Sequence, residues 1–223
     1  MTKRSNISGT RRWSFFSSHD EKKTTATKDL YKSVRKCPGV RITPGVRPKF
    51  LAILKSKILT WPKLPDDIED KATDMTALAT YKGNFALEAD AKWHVVDLVS
   101  LKSSITTETQ GEAPSATFLN KAEYIIGGMD ADITGFGRMV INDEMIYAQQ
   151  MPNGRFRILG CEMFAPKSTF AQNSGAGATD SVTSTLSVEA TDVSPAPFYE
   201  GKLETDEGDI SGLDGSVWTE HTA

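Results

Sequence analysis

A mainly β domain is what this sequence predicts, and three stretches carry the expectation. From residue 85 to 95, Phe85, Leu87, Ala89, Ala91, Trp93 and Val95 alternate with Glu88, Asp90, Lys92 and His94. That is the period of a strand with one dry and one wet face. From residue 182 to 190, Val182, Leu186, Val188 and Ala190 alternate with Thr183, Thr185, Ser187 and Glu189 in the same way. Between them EMIYAQQ runs into Met151-Pro152-Asn153-Gly154 and returns as RFRILGC, with Phe156 and Ile158 on one face and Arg155 and Arg157 on the other. Asn-Gly between two apolar runs is a hairpin signal, because both residues tolerate positive φ. Hairpin and later run together predict a sheet with one solvated or partner-facing side.

The remaining elements follow in chain order. Residues 1–36 carry ten Lys/Arg against three Asp/Glu and too few apolar residues to pack, so a flexible basic arm is expected there. The sharper reading is an arm that orders against an acidic neighbour or phosphate. Trp13, Phe15 and Phe16 beside Arg11 and Arg12 suit nucleic acid, through charge and stacking, although the body of the chain is acidic. Turns at Cys37-Pro38-Gly39 and Thr43-Pro44-Gly45 lead to FLAILKSKILTW, which is bounded by Pro48 and Pro62, lacks helix caps and is expected as strands. The run around Trp61-Pro62-Lys63-Leu64-Pro65 is extended, and residues 66–80 are expected as a loop or short helix. The alternation from Phe85 is long for one strand, so it bends or turns near Ala89-Asp90. SSITTETQGEAP, from residue 103 to 114, is Thr-rich with Ile105 as its one large apolar side chain. In TFLNKAEYIIGG, Phe118, Ala122, Tyr124 and Ile126 share a face. Residues 130–142 are the expected helix, with Ile133, Phe136 and Met139 or Val140 at helical spacing. A loop is expected over residues 165–180. Residues 200–223 hold one Lys against seven Asp/Glu. The expected division is therefore a basic arm over 1–36, a structural domain over 37–203 and an acidic flexible tail over 204–223.

Chemistry is sparse. Cys37 and Cys161 are the two cysteines and are read as reduced. No apolar run approaches the ~18 residues of a membrane span, and the start lacks the apolar stretch of a secretory or twin-arginine signal. Asp130-Ala131-Asp132-Ile133-Thr134-Gly135 imitates half a calcium loop, but Ile141 stands where a bidentate Glu is needed, so the string is read as a helix start. His94 sits on the polar face of its strand and reads as a surface or interface residue. Neither a nucleophile elbow nor a phosphate-cradling glycine loop is present. No enzyme, no metal and no cofactor are expected.

ITTETQGEAPSATFLNKAEYIIGG, MPNGRFRILGCE and VEATDVSPAPFYEGKLETDEGDI together resemble virion structural proteins of tailed bacteriophages, in particular tail-tube-like proteins of phages infecting Bacteroidetes. The resemblance covers about residues 37–210 and is one of pattern and order. It implies a β-sandwich or half-barrel with one flanking α-helix and extended polar strands and loops. It also implies subunits that close into rings, usually of six, which stack into a DNA conduit in the virion tail after assembly in the host cytoplasm. The implied partners are other copies of the chain, other tail or neck proteins, and DNA passing without sequence-specific binding; no membrane is implied. Thr106, Thr107, Thr109 and Phe118, with the hairpin tip Pro152, Asn153 and Gly154, are the expected inter-subunit contacts. β-Prone residues without an apolar face suit backbone pairing with a neighbour. Rival expectations are a neck or connector ring protein, and a β-sandwich carbohydrate-binding module or hydrolase, which would need exposed aromatics on one face.

Overall fold

A computed structural model describes residues 30–39, 41–66 and 72–218. The arm expected over residues 1–36 lies outside the described residues up to residue 29, and residues 30–36 form no regular element. The chain then runs through β1 (Lys49–Leu54), a 3-10 turn, β2 (Ile58–Thr60), a second 3-10 turn at Ala77–Ala79, β3 (Thr80–Tyr81), β4 (Ala86–Leu87) and β5 (His94–Asp97). β6 (Ser104–Gln110) and β7 (Thr117–Gly127) precede the helix α1 (Ala131–Val140). β8 (Met145–Gln150), β9 (Phe156–Leu159), β10 (Lys167–Asn173), β11 (Thr183–Asp192) and β12 (Phe198–Tyr199) follow, and β13 (Lys202–Thr205) and β14 (Gly208–Ser211) close the chain.

These strands build a sandwich-like, mainly β fold with a single α-helix. A six-stranded sheet runs β3-β12-β9-β8-β1-β5, and a four-stranded, wholly antiparallel sheet runs β10-β11-β7-β6. One core lies between them. Phe50, Ala52 and Tyr147 face Tyr124, Leu186 and Val188 across it, and the Phe50 and Tyr124 rings stack at 4.4 Å. A second core lies on the other face of the six-stranded sheet, where Leu51, Ile53, Ile146 and Ile158 meet Phe85, Trp93, Tyr199 and Leu203. Leu203 belongs to β13, Phe85 and Trp93 lie just before β4 and β5, and Tyr199 belongs to β12; the two-stranded sheets β2-β4 and β13-β14 help to cover that face. Covering both faces explains why all six residues of β8 are buried. It also accounts for two buried amides: Gln149 Nε2 donates to the carbonyls of Arg47, Lys49 and Gln150, and Gln150 Nε2 donates to that of Gly154.

Several expectations need correction. The hairpin β8–β9 and the long strand β11 lie in different sheets. The alternation from Phe85 turns at Ala89-Asp90 as expected (Asp90 φ 64°), but its halves β4 and β5 join different sheets. Val182 precedes β11 and is exposed; the inward position it was expected to share is taken by Ser184. The expected loop over 165–180 contains β10, in which Phe170 is the sole large apolar side chain, too weak a pattern to mark a strand. The expected acidic tail is built into the fold as far as residue 218. Leu203 and Thr205 are buried, Lys202 is held between Glu204 and Asp209, and the amide of Trp93 donates to the carbonyl of Glu204 at 2.8 Å.

The helix forms where its spacing predicts, with Ile133, Phe136 and Val140 turned to the inter-sheet core and Met139 exposed. Gly137 weakens the helix locally, yet it lets α1 close onto β10: a Cβ there would collide with the Phe170 ring. Overpacking of this kind costs about 1–3 kcal/mol. Gly137→Ala is therefore expected to lower stability despite alanine's better helix propensity, whereas Gly135→Ala, with open space around it, should raise it slightly. Denaturant midpoints of the two variants check both signs.

Candidate functional site

The two sheets treat their edges differently. In the six-stranded sheet, β3 is only two residues long, and β5 is flanked at its start by the Trp93–Thr205 bridge. Short or covered edges are the usual protection against unwanted strand addition. The four-stranded sheet ends instead in β6 and β10, seven residues each, and no other described backbone segment pairs with their far sides.

Hydrogen bonds on β7 fix the direction of the edge groups. Ile125 of β7 accepts a hydrogen bond from the amide of Val99 (2.8 Å), and its own amide donates to Ser103 Oγ (3.0 Å). Both polar groups of Ile125 thus point to the β6 side, and by the two-residue period so do those of Glu123, Lys121 and Leu119. Their partners Ser104, Thr106 and Glu108 bond inward to β7. Ile105, Thr107 and Thr109, opposite Ala122, Asn120 and Phe118, then direct their amides and carbonyls outward. The same parity carried through the Tyr124–Leu186 and Leu186–Phe170 pairs leaves Ser168, Phe170 and Gln172 outward on β10. All six outward residues have side chains on the inner face of the sheet. The strands alternate in direction across the sheet, so β6 and β10 run oppositely.

This places most of the expected contact residues. Thr107 and Thr109 offer free backbone groups, although Thr107 Oγ1 also donates to Asn120 Oδ1 at 2.7 Å. Thr106 belongs to the inward set; its side chain is exposed on the outer face opposite Lys121. Phe118 is half-buried between Thr109 and Asp192 and lies one strand in from the edge. The hairpin tip is a separate place. Gly154 (φ 94°) is buried, and a Cβ on it would approach the carbonyl of Asp214 to 2.9 Å, so the chain's own C-terminal segment covers it. Asn153 is exposed, and its Oδ1 accepts from the Arg155 amide. Ser168, Phe170 and Gln172 carried no sequence signal beyond a short polar–apolar alternation.

The outer face of the four-stranded sheet is rich in hydroxyl side chains, among them Ser104, Thr106, Thr169, Thr185, Ser187 and Thr191, and it bears no aromatic residue. Its charges are Glu108, Glu123 and Glu189 against Lys121 and Lys167. The Glu108 carboxylate hydrogen-bonds the Lys121 ammonium (2.9 Å) and raises its pKa.

Other chemical groups are dispersed. His94 pairs with Asp206 at 3.2 Å on the surface. Asp130 precedes α1, so the calcium-like string is a helix start. Among the described residues no cluster of three His, Cys, Asp or Glu could hold a metal ion, and no helix is long and apolar enough to cross a membrane. Cys37 is exposed; burial raises the pKa of the half-buried Cys161 thiol. Asp192 is buried, which pushes its carboxyl pKa up; Oδ1 accepts from the amide of Val193, and Oδ2 has no partner. No protein-family model, curated protein or solved structure matches the chain.

Proposed function

We propose that this chain is a non-enzymatic structural subunit that assembles with copies of itself into rings, in the manner of a phage tail-tube protein. The observation that carries the reading is the pair of open edges on one sheet. β6 and β10 have equal length and opposite direction, and each directs outward the polar groups of residues whose side chains face inward. β6 of one copy and β10 of the next can therefore pair antiparallel, with inner faces on the same side. Such a contact is head-to-tail, and it closes into a ring when the rotation between copies permits. Pairing satisfies backbone groups and needs no apolar side chains.

In the closed ring the six-stranded sheet and α1 take the outside, because their bulk has no room at the axis. The outer face of the four-stranded sheet then lines the lumen. Its hydroxyl side chains and slight excess of carboxylates suit DNA that must pass without being gripped, since tight phosphate contact requires Lys and Arg in excess. The absence of aromatics on that face disfavours its use as a carbohydrate platform. Electron microscopy of the purified protein tests the reading: rings or tubes are expected, and monomers at every concentration would overturn it.

A further inference from the structure

A second surface stands apart from the sheet edges. A groove of about 700 Å³ runs between the segment from Leu59 to Leu64 and the β9–β10 connection. Leu59 is 67% exposed, Met163 75%, Phe164 47% and Val193 70%, and Trp61 and Tyr81 line it as well. Apolar side chains gathered in this way mark a surface that something covers. The charged groups lining the groove are Lys63, Glu162 and Asp192, an excess of one carboxylate. Asp192 is 3% exposed and lies beneath the groove, so Glu162 is the carboxylate at its surface.

One segment of this chain has the complementary chemistry. Residues 11–16 read Arg-Arg-Trp-Ser-Phe-Phe, three large aromatics preceded by two guanidinium groups, within a segment whose net charge is strongly positive. The described chain begins at Leu30, and the Lys32 amide donates to Met75 Sδ at 3.2 Å. Met75 leads through Ala77–Ala79 into β3, whose Tyr81 lines the groove. At ~3.4 Å per residue, residues 17–29 can bridge up to about 45 Å. Tethering also holds the segment at an effective concentration on the order of millimolar.

We propose that residues 11–16 dock in this groove of their own chain. The aromatic side chains cover Leu59, Met163, Phe164 and Val193, and an arginine pairs with the exposed Glu162 at the groove's edge. The basic segment is then a built-in cover for this groove.

Hydrogen peroxide oxidation of the full-length protein, followed by peptide mass spectrometry, tests this. Met163 is compared with Met139, an exposed methionine on α1. Docking predicts that Met163 oxidises several-fold more slowly than Met139, and that the triple variant Trp13→Ala/Phe15→Ala/Phe16→Ala brings the two rates together. A Met163 rate unchanged by the triple substitution overturns the proposal. The source of the segment is settled by placing photo-reactive p-benzoylphenylalanine at position 59 in a mixture of isotopically light and heavy chains. Crosslinks to residues 11–16 within one label are expected, and they form whether or not rings close. Links only between labels would assign the groove to a neighbour's segment and overturn docking within the chain.

Discussion

Trp93→Ala is expected to destabilise the fold by about 3–5 kcal/mol, the cost of removing a large aromatic side chain from a packed core. Trp93 is fully buried, edge-on to Phe85 at 5.5 Å, in the core that the six-stranded sheet shares with the small hairpins. Its backbone bonds Glu204 and bridges to Thr205, so the same residue seats the hairpin of β13 and β14. The loss should appear first as faster amide exchange across residues 202–211 and then as a lower melting temperature. Trp93→Phe keeps ring contact, and because the indole Nε1 has no hydrogen-bond partner to lose, it should cost less. An unchanged melting temperature for Trp93→Ala would contradict the placement of this core.

The second large effect concerns assembly. Thr107→Pro and Thr109→Pro each remove an amide that points away from the subunit, whereas Thr106→Pro removes one that bonds β7. The residue before each proline already lies in a strand, where proline tolerates it. A lost hydrogen bond costs about 0.5–1.5 kcal/mol, up to roughly tenfold in affinity at each interface, and the effect multiplies around a ring. Both outward variants should therefore sediment as subunits at concentrations where the parent chain assembles. Thr109→Pro is the cleaner of the two, because Thr107 also gives up its hydroxyl bond to Asn120. Thr106→Pro should instead lower the melting temperature. Outward variants that assemble like the parent would show that β6 is a free edge.

Legibility in the sequence followed burial. β7 and β11 are readable because each has one face in the core, so Ala122 and Tyr124 flank Glu123, and Leu186, Val188 and Ala190 alternate with Ser187 and Glu189. α1 was readable from Ile133, Phe136 and Val140. β8 is covered on both faces and shows a hairpin arm but not the burial of Gln149 and Gln150, whose partners include the distant carbonyls of Arg47, Lys49 and Asp214. β10 is held by pairing with β11 and by one aromatic ring against Gly137, neither of which leaves a local pattern. The acidic C-terminal stretch looked like a tail because Leu203 and Ile210 are its only large apolar strand residues. Its order comes from Trp93, more than a hundred residues away. Of the candidate interface, the Thr-rich β6 was visible as an edge in search of a partner. The outward set on β10, and the covering of Gly154 by Asp214, are products of tertiary pairing alone.

The central claim is that copies pair through β6 and β10, and amide-resolved hydrogen exchange on the assembled protein tests it most directly. The amides of Ile105, Thr107, Thr109, Ser168, Phe170 and Gln172 should exchange quickly in the dissociated subunit and become protected on assembly, while the inward amides of Thr106 and Glu108 are protected in both states. Outward amides that still exchange at the subunit's rate in an intact ring or tube would contradict the account.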